Sequence, residues 1–275
     1  MCLYNKIFDQ EFRNKLKSEC ENSDNYLYRI LFDLEDESLN KQRETLEKCC
    51  QILFDYQLDE NSDYISRIKN KDFNWTKIYE TLNELKVAYI LKELGFELNF
   101  HLDRNQKAGE FEVILGEERF QVEVKTLSFN RRQEFFGNLD DGEAFVEDLR
   151  SEPILEKLDQ AKEQLSPNGI VFIFDNSKIG IGSTDIKLAI WPFSKYYSNQ
   201  KGFYNSIDKD NFYFKKTKNL NISAITFISE WDVSPKWNSG GVFYRNPYAQ
   251  NPLSKDAFNL LKKYCKLHKK HFGPT

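Results

Sequence analysis

The sequence predicts an α/β fold, a central mixed sheet flanked by helices and preceded by an N-terminal helical region. Three patterns carry that expectation. Residues 76–94 repeat apolar side chains at helical spacing, residues 96–126 alternate in three short runs, and residues 153–175 join a helix to a continuous apolar run. The chain divides at composition changes into 1–74, a charge-rich helical region; 75–250, the sheet domain; and 251–275, a basic C-terminal helix.

Within the first region, Leu46, Cys49, Cys50, Leu53 and Phe54 fall at helical spacing over Leu39 to Leu58. No motif marks this region, which leaves it the role of a helical cap or of a docking surface for a second copy or a protein partner. Ile78, Leu82, Leu85 and Tyr89 then lie at i, i+4, i+7 and i+11, one face of a helix over Thr76–Leu94, with Gly95 as its stop. Phe96–Phe100 reads as a first strand, Asp103–Gly109 as a turn, and Glu110–Leu115 as a second strand with Phe111, Val113 and Leu115 on one face. Gly116-Glu117-Glu118 is a hairpin turn. Arg119–Thr126 is a third strand, with Phe120, Val122 and Val124 on one face and Gln121, Glu123 and Lys125 on the other.

A long polar stretch, Leu127–Glu152, precedes a helix at Pro153–Leu165 and a buried strand at Gly169–Asp175, expected to run parallel to the third strand. Further strands are expected at Lys187–Trp191, Ser223–Glu230 and Gly241–Arg245, and a last helix at Asp256–Phe272.

Composition bounds the function. The 275 residues are 40% hydrophobic and 30% charged with a mean hydropathy of -0.65, which predicts a soluble protein. A net charge of -4 means that any nucleic-acid surface is local. Five cysteines form no CxxC pair and three histidines form no HExxH, so the zinc enzymes are excluded and a reducing compartment is expected. The longest clear apolar run, Ile170–Phe174, is too short to cross a bilayer, so a cytoplasmic protein without a membrane partner is expected.

The chemistry centres on the third strand. Glu123 and Lys125 share a face, and Glu110 and Glu112 share one on the neighbouring strand, so carboxylates and an ammonium can converge on one side of the sheet. An all-oxygen donor set suits Mg²⁺, with Mn²⁺ as a substitute. Glu84 sits on the preceding helix with Val87, Ala88 and Leu91 at its i+3, i+4 and i+7 positions. When buried, such a glutamate needs a partner, either a metal ion or a lysine.

The runs Asn83-Glu84-Leu85-Lys86-Val87-Ala88, Leu94-Gly95-Phe96, Gly109-Glu110-Phe111-Glu112-Val113 and Val122-Glu123-Val124-Lys125-Thr126 resemble a PD-(D/E)XK nuclease. The resemblance covers roughly residues 76–175 and implies a restriction-endonuclease-like sheet. It implies catalytic roles for Glu84, Glu110, Glu123, Lys125 and a glutamine on the following helix, Gln164 or, one turn earlier, Gln160. Glu110 and Glu123 would hold Mg²⁺ with the carbonyl of Val124, and Glu84 a second metal or a bound water. The family's Pro-Asp stands here as Gly109-Glu110, one methylene longer, and Glu112 is the alternative for that role. The implied activity is an endonuclease that hydrolyses phosphodiesters, of DNA before RNA, to 5′-phosphate and 3′-hydroxyl ends, in a setting such as restriction or defence. A structure-selective resolvase and a catalytically degenerate binding module are the rival readings. Arg131 and Arg132 after the third strand, and Lys262, Lys263 and Lys266 in a tail with six lysines against one acid, are the candidate phosphate contacts.

Overall fold

The computed structural model describes residues 2–20, 26–32, 35–69, 74–100, 109–127, 148–175, 193–199, 202–207, 221–229, 242–246 and 248–267. Helices α1 (Tyr4–Ile7), α2 (Gln10–Cys20), α3 (Tyr26–Phe32), α4 (Asn40–Asp55), α5 (Leu58–Asn61) and α6 (Tyr64–Ile68) lead into the long helix α7 (Trp75–Glu93). Leu46, Cys49, Cys50, Ile52 and Leu53 form the buried stripe of α4. Asn74 caps α7 by accepting from Lys77 N, and Gly95, at φ 92°, ends it in the left-handed region that a side chain disfavours.

Six strands form one mixed sheet: β1 (Glu97–Phe100), β2 (Phe111–Leu115), β3 (Glu118–Leu127), β4 (Gly169–Asp175), β7 (Ile222–Ser229) and β8 (Val242–Arg245), in that spatial order. Two further strands, β5 (Phe193–Asn199) and β6 (Gly202–Ile207), pair only with each other, a hairpin that the sequence pattern did not foretell. The β1-β2-β3 segment is an antiparallel meander, turned by Gly116 at φ 62°. Helix α8 (Asp148–Gln164) then crosses back, so that β4 runs parallel to β3, and β7 parallel to β4. The fold class is α/β, as the alternation of periods predicts.

Period-two alternation splits the core between two faces. Phe120, Val122 and Val124 of β3, Phe172 and Phe174 of β4 and Ala224 of β7 join the apolar side chains of α7 and of the N-terminal helices in one unbroken cluster. On the opposite face, Leu127, Val171, Ile173, Ile225 and Phe227 pack under Ile154, Leu158, Ala161 and Leu165 of α8 and its end. Each fully buried leucine or phenylalanine contributes about 1.5–3 kcal/mol through removal from water.

The tail differs from a single helix over Asp256–Phe272. Helix α9 (Lys255–Leu261) is capped by Ser254, and Lys263 N bonds back three residues to Leu260 O, which tightens the chain into a turn before residues 264–267 resume helix. Ala257, Leu261 and Tyr264 are buried, with Tyr264 against Phe172 at 4.7 Å between ring centroids, while Lys262, Lys263 and Lys266 are exposed. His268 onward, the turn over 103–108, the strand expected at Lys187–Trp191 and Arg131 and Arg132 lie outside the described residues. Among the described residues no helix is long and apolar enough to cross a membrane.

Phe172 touches both the sheet core and the tail, so Phe172→Ala leaves a cavity between them. It is expected to lower unfolding stability by about 3–5 kcal/mol, read as a lower urea midpoint at unchanged slope. A loss below 1 kcal/mol, in the terms of roughly neutral surface substitutions, would mean that the tail does not pack there.

Candidate active site

The alternation that buries Val122 and Val124 under α7 turns Gln121, Glu123 and Lys125 to the face of α8. Glu123 is 1% exposed at its side chain, a deep position for a carboxylate. Lys125 Nζ lies against Glu123 Oε1 as an ion pair, and also donates to Gln164 Oε1 near the end of α8. The two-residue spacing of Glu123 and Lys125 thus becomes a chain Glu123–Lys125–Gln164 across strand and helix. Gln160, the alternative to Gln164, instead donates to Glu156 along its own helix.

Glu110 stands immediately before β2. The β2–β3 register runs from Leu115↔Glu118 to Phe111↔Val122, and Glu110 precedes it, near enough to Glu123 for its charge to act on that carboxyl. The backbone holds Glu110 there twice. Glu110 N donates to Val122 O at 2.8 Å, and Gly109 N donates to Gln164 O at 3.3 Å. Gly109 has φ 66°, and a Cβ on it would meet Val122 O at 2.6 Å, so a residue without a side chain is needed for this close approach. A glycine at position 109 therefore has a local steric reason. Glu112, by contrast, is opposite Gln121 and engaged elsewhere, accepting from Arg119 Nη1 at 2.9 Å and Asn99 Nδ2 at 3.3 Å.

Glu84 is buried in α7, and both of its carboxylate oxygens meet Arg67 of α6. Arg67 Nη1 donates to Glu84 Oε2 at 2.9 Å and Nη2 donates to Oε1. Nothing in the spacing of the N-terminal residues singled out Arg67. The signal available was indirect: a buried acid on α7 requires a cation. Aromatic packing sets α6 in place. Tyr64 meets Phe100 edge-on at 6.2 Å between centroids, Phe100 stacks at 5.0 Å on Phe111, and the Arg67 guanidinium lies 5.3 Å over the Tyr64 ring. Phe111 directly follows Glu110, so the same contacts bring Arg67 to the mouth of β2.

Electrostatics link the three acids. Burial, and then the charge of Glu110, push the Glu123 carboxyl up to about 7 against the pull of Lys125. Burial alone would lower the pKa of Arg67, but its hydrogen bonds to Glu84 and the charges of Glu84 and Glu110 hold it above its ordinary value. Glu123 Oε1 is shielded from solvent, and its partner is the ammonium of Lys125. Among the described residues no three His, Cys, Asp or Glu side chains are gathered as a metal cage. Burial pushes the Cys50 thiol up and the Cys265 thiol up to about 12, so neither is a ready nucleophile. Comparisons of the chain with protein-family models, with curated proteins and with solved structures return no match.

The sign of the Glu123 shift sets a pH dependence. Its folded pKa lies above the ordinary 4.5, so the native state binds the proton more tightly than the unfolded chain. Its stabilising contribution is complete below about 4.5 and is lost as pH rises through about 7. In EDTA, Glu123→Gln is therefore expected to gain stability relative to the parent between pH 5 and pH 8, by up to roughly 3 kcal/mol. Urea midpoints of both proteins at the two pH values measure this, and a parent-to-variant difference that stays constant would remove the buried acid from the account.

Proposed function

We propose that the chain is a Mg²⁺-dependent phosphodiesterase of nucleic acid, with DNA preferred to RNA, built on a restriction-endonuclease-like core. The observation that carries this reading is the buried Glu123 carboxylate, near Glu110 and paired with Lys125, which in turn donates to Gln164 of α8. The order α7-β1-β2-β3-α8-β4 also fits the arrangement that the sequence resemblance implies.

The donors fit a hard cation. Glu110, Glu123 and the carbonyl of Val124 are all oxygen, and Mg²⁺ is commonly held by about one or two carboxylates with waters completing its shell. When bound, Mg²⁺ would polarise a phosphoryl oxygen and lower the pKa of water. The remaining work belongs to the chain. Lys125, positioned between Glu123 and Gln164, offsets the negative charge that grows on the phosphate during in-line attack of water on phosphorus. The P–O3′ bond breaks, and the 5′-phosphate stays on the other fragment. The exposed Lys262, Lys263 and Lys266 are the proposed sequence-independent phosphate contacts.

A second reading, a nuclease-fold binding module without turnover, is favoured by one observation: both oxygens of Glu84 are engaged by Arg67. Nicking of supercoiled plasmid separates the two. Cleavage is expected in Mg²⁺ or Mn²⁺ and not in EDTA, and Glu123→Ala and Lys125→Ala are each expected to lower the rate on the order of 100-fold or more. Cleavage in excess EDTA, or near-parent rates in either variant, would overturn the hydrolytic reading, and plasmid binding without cleavage would establish the second.

The strand-two acids are expected to separate as their partners differ. Glu110→Gln should be inactive, because Glu110 lies near Glu123. Glu112→Gln should be only impaired, because Glu112 is committed to Arg119 and Asn99. Rates for both variants on the same plasmid decide the matter, and the reverse ranking would move the ligand role to Glu112.

A further inference from the structure

The third acid of the site has a protein cation of its own. Glu84 is 3% exposed and Arg67 17% exposed at their side chains, and the guanidinium reaches both carboxylate oxygens. A two-pronged, largely desolvated pair of this kind is among the stronger polar contacts a protein makes, and each partner leaves the other a buried uncompensated charge if it departs. Tyr64 on the same short helix packs on Phe100, and Phe100 on Phe111, so the helix that carries Arg67 is docked on β1 and through it on β2.

Electrostatics point the same way. The charge of Glu110 acts on both Arg67 and Glu123, and Lys125 pairs with Glu123. Glu110 and Glu123 are the acids whose mutual repulsion a divalent cation would relieve, whereas Glu84 already has a guanidinium on both of its oxygens. A second cation on Glu84 would have to displace a buried guanidinium or crowd against it.

We infer that Arg67 is a positioning residue that stands against Glu84 in the place of a second metal ion, so that the site takes one divalent cation, on Glu110 and Glu123. The inference rests on the metal-dependent reading proposed above and departs from the role of Glu84 that the sequence resemblance implies. Arg67 thereby takes Glu84 out of the ligand set. The N-terminal helices, through α6, become part of the site and not a cap beside it.

Titration of the full-length chain with Mn²⁺, with free ion read by electron paramagnetic resonance, tests this without relying on turnover. The parent is expected to bind one Mn²⁺ per chain, and Glu123→Gln to lose it. The paired variant Arg67→Met with Glu84→Gln removes both charges together, so neither is left buried alone, and it is expected to keep one ion with an affinity within about tenfold of the parent. Two ions in the parent, or a loss of more than about tenfold in the folded paired variant, overturns the inference and leaves the metal-dependent reading standing. No binding by the parent, or binding untouched by Glu123→Gln, removes that reading and the inference with it. Should circular dichroism show the paired variant unfolded, the parent's stoichiometry decides alone.

Discussion

A glutamate buried in the middle of an apolar helix is the constraint from which the rest of the arrangement follows. Glu84 lies on α7 among side chains that belong to the main core, and a lone carboxylate there would cost several kcal/mol of lost hydration. Arg67 answers that requirement from α6, which ties the N-terminal helices to the sheet by a charged contact as well as by packing. Tyr64, Phe100 and Phe111 make the docking apolar around the pair and exclude water from it. The first region of the chain is in this way joined to the sheet through one continuous core, from Phe8 and Leu16 to Val122 and Phe172.

The second determinant is the alternation of β3. One strand serves two purposes because its odd and even residues face different layers. Val122 and Val124 complete the core beneath α7, and Glu123 and Lys125 are thereby delivered to the side of α8. A register slip of one residue would exchange the two sets, exposing valines and burying both charges in the main core. Packing therefore protects the polar face. Gly109 contributes at the other end: its missing side chain allows the chain to pass against Val122 O, where Glu110 N also bonds.

Periodic features were legible in the chain, and features made by distant contacts were not. Residues 76–94, 110–115, 119–126 and 169–175 carry strong repeats, and each is found as helix α7 or as β2, β3 and β4 within a residue or two at the ends. Glu123 and Lys125 share a face because strand geometry leaves no other outcome. Gln164 meets Lys125 only because α8 folds back over β3, a contact between residues 39 apart. Arg67 left no local trace, since an arginine in a charge-rich helix looks like any solvated side chain until a buried acid 17 residues later claims it. The hairpin of β5 and β6 and the turn at Lys262–Lys263 are likewise products of context, where weak local preferences yield to packing.

What the sequence by itself determined is the set of elements, the α/β class and the face on which each strand residue lies, because these follow from periods of 3.6 and 2 that local sterics impose. Tertiary structure decided the partners. Glu110 comes near Glu123 through its backbone bond to Val122 O, Glu112 goes to Arg119 instead, and Glu84 is matched with Arg67. The physical reason is that a charge removed from water must be compensated by whichever opposite charge the packing brings within a few ångströms, and chain separation has no bearing on that distance.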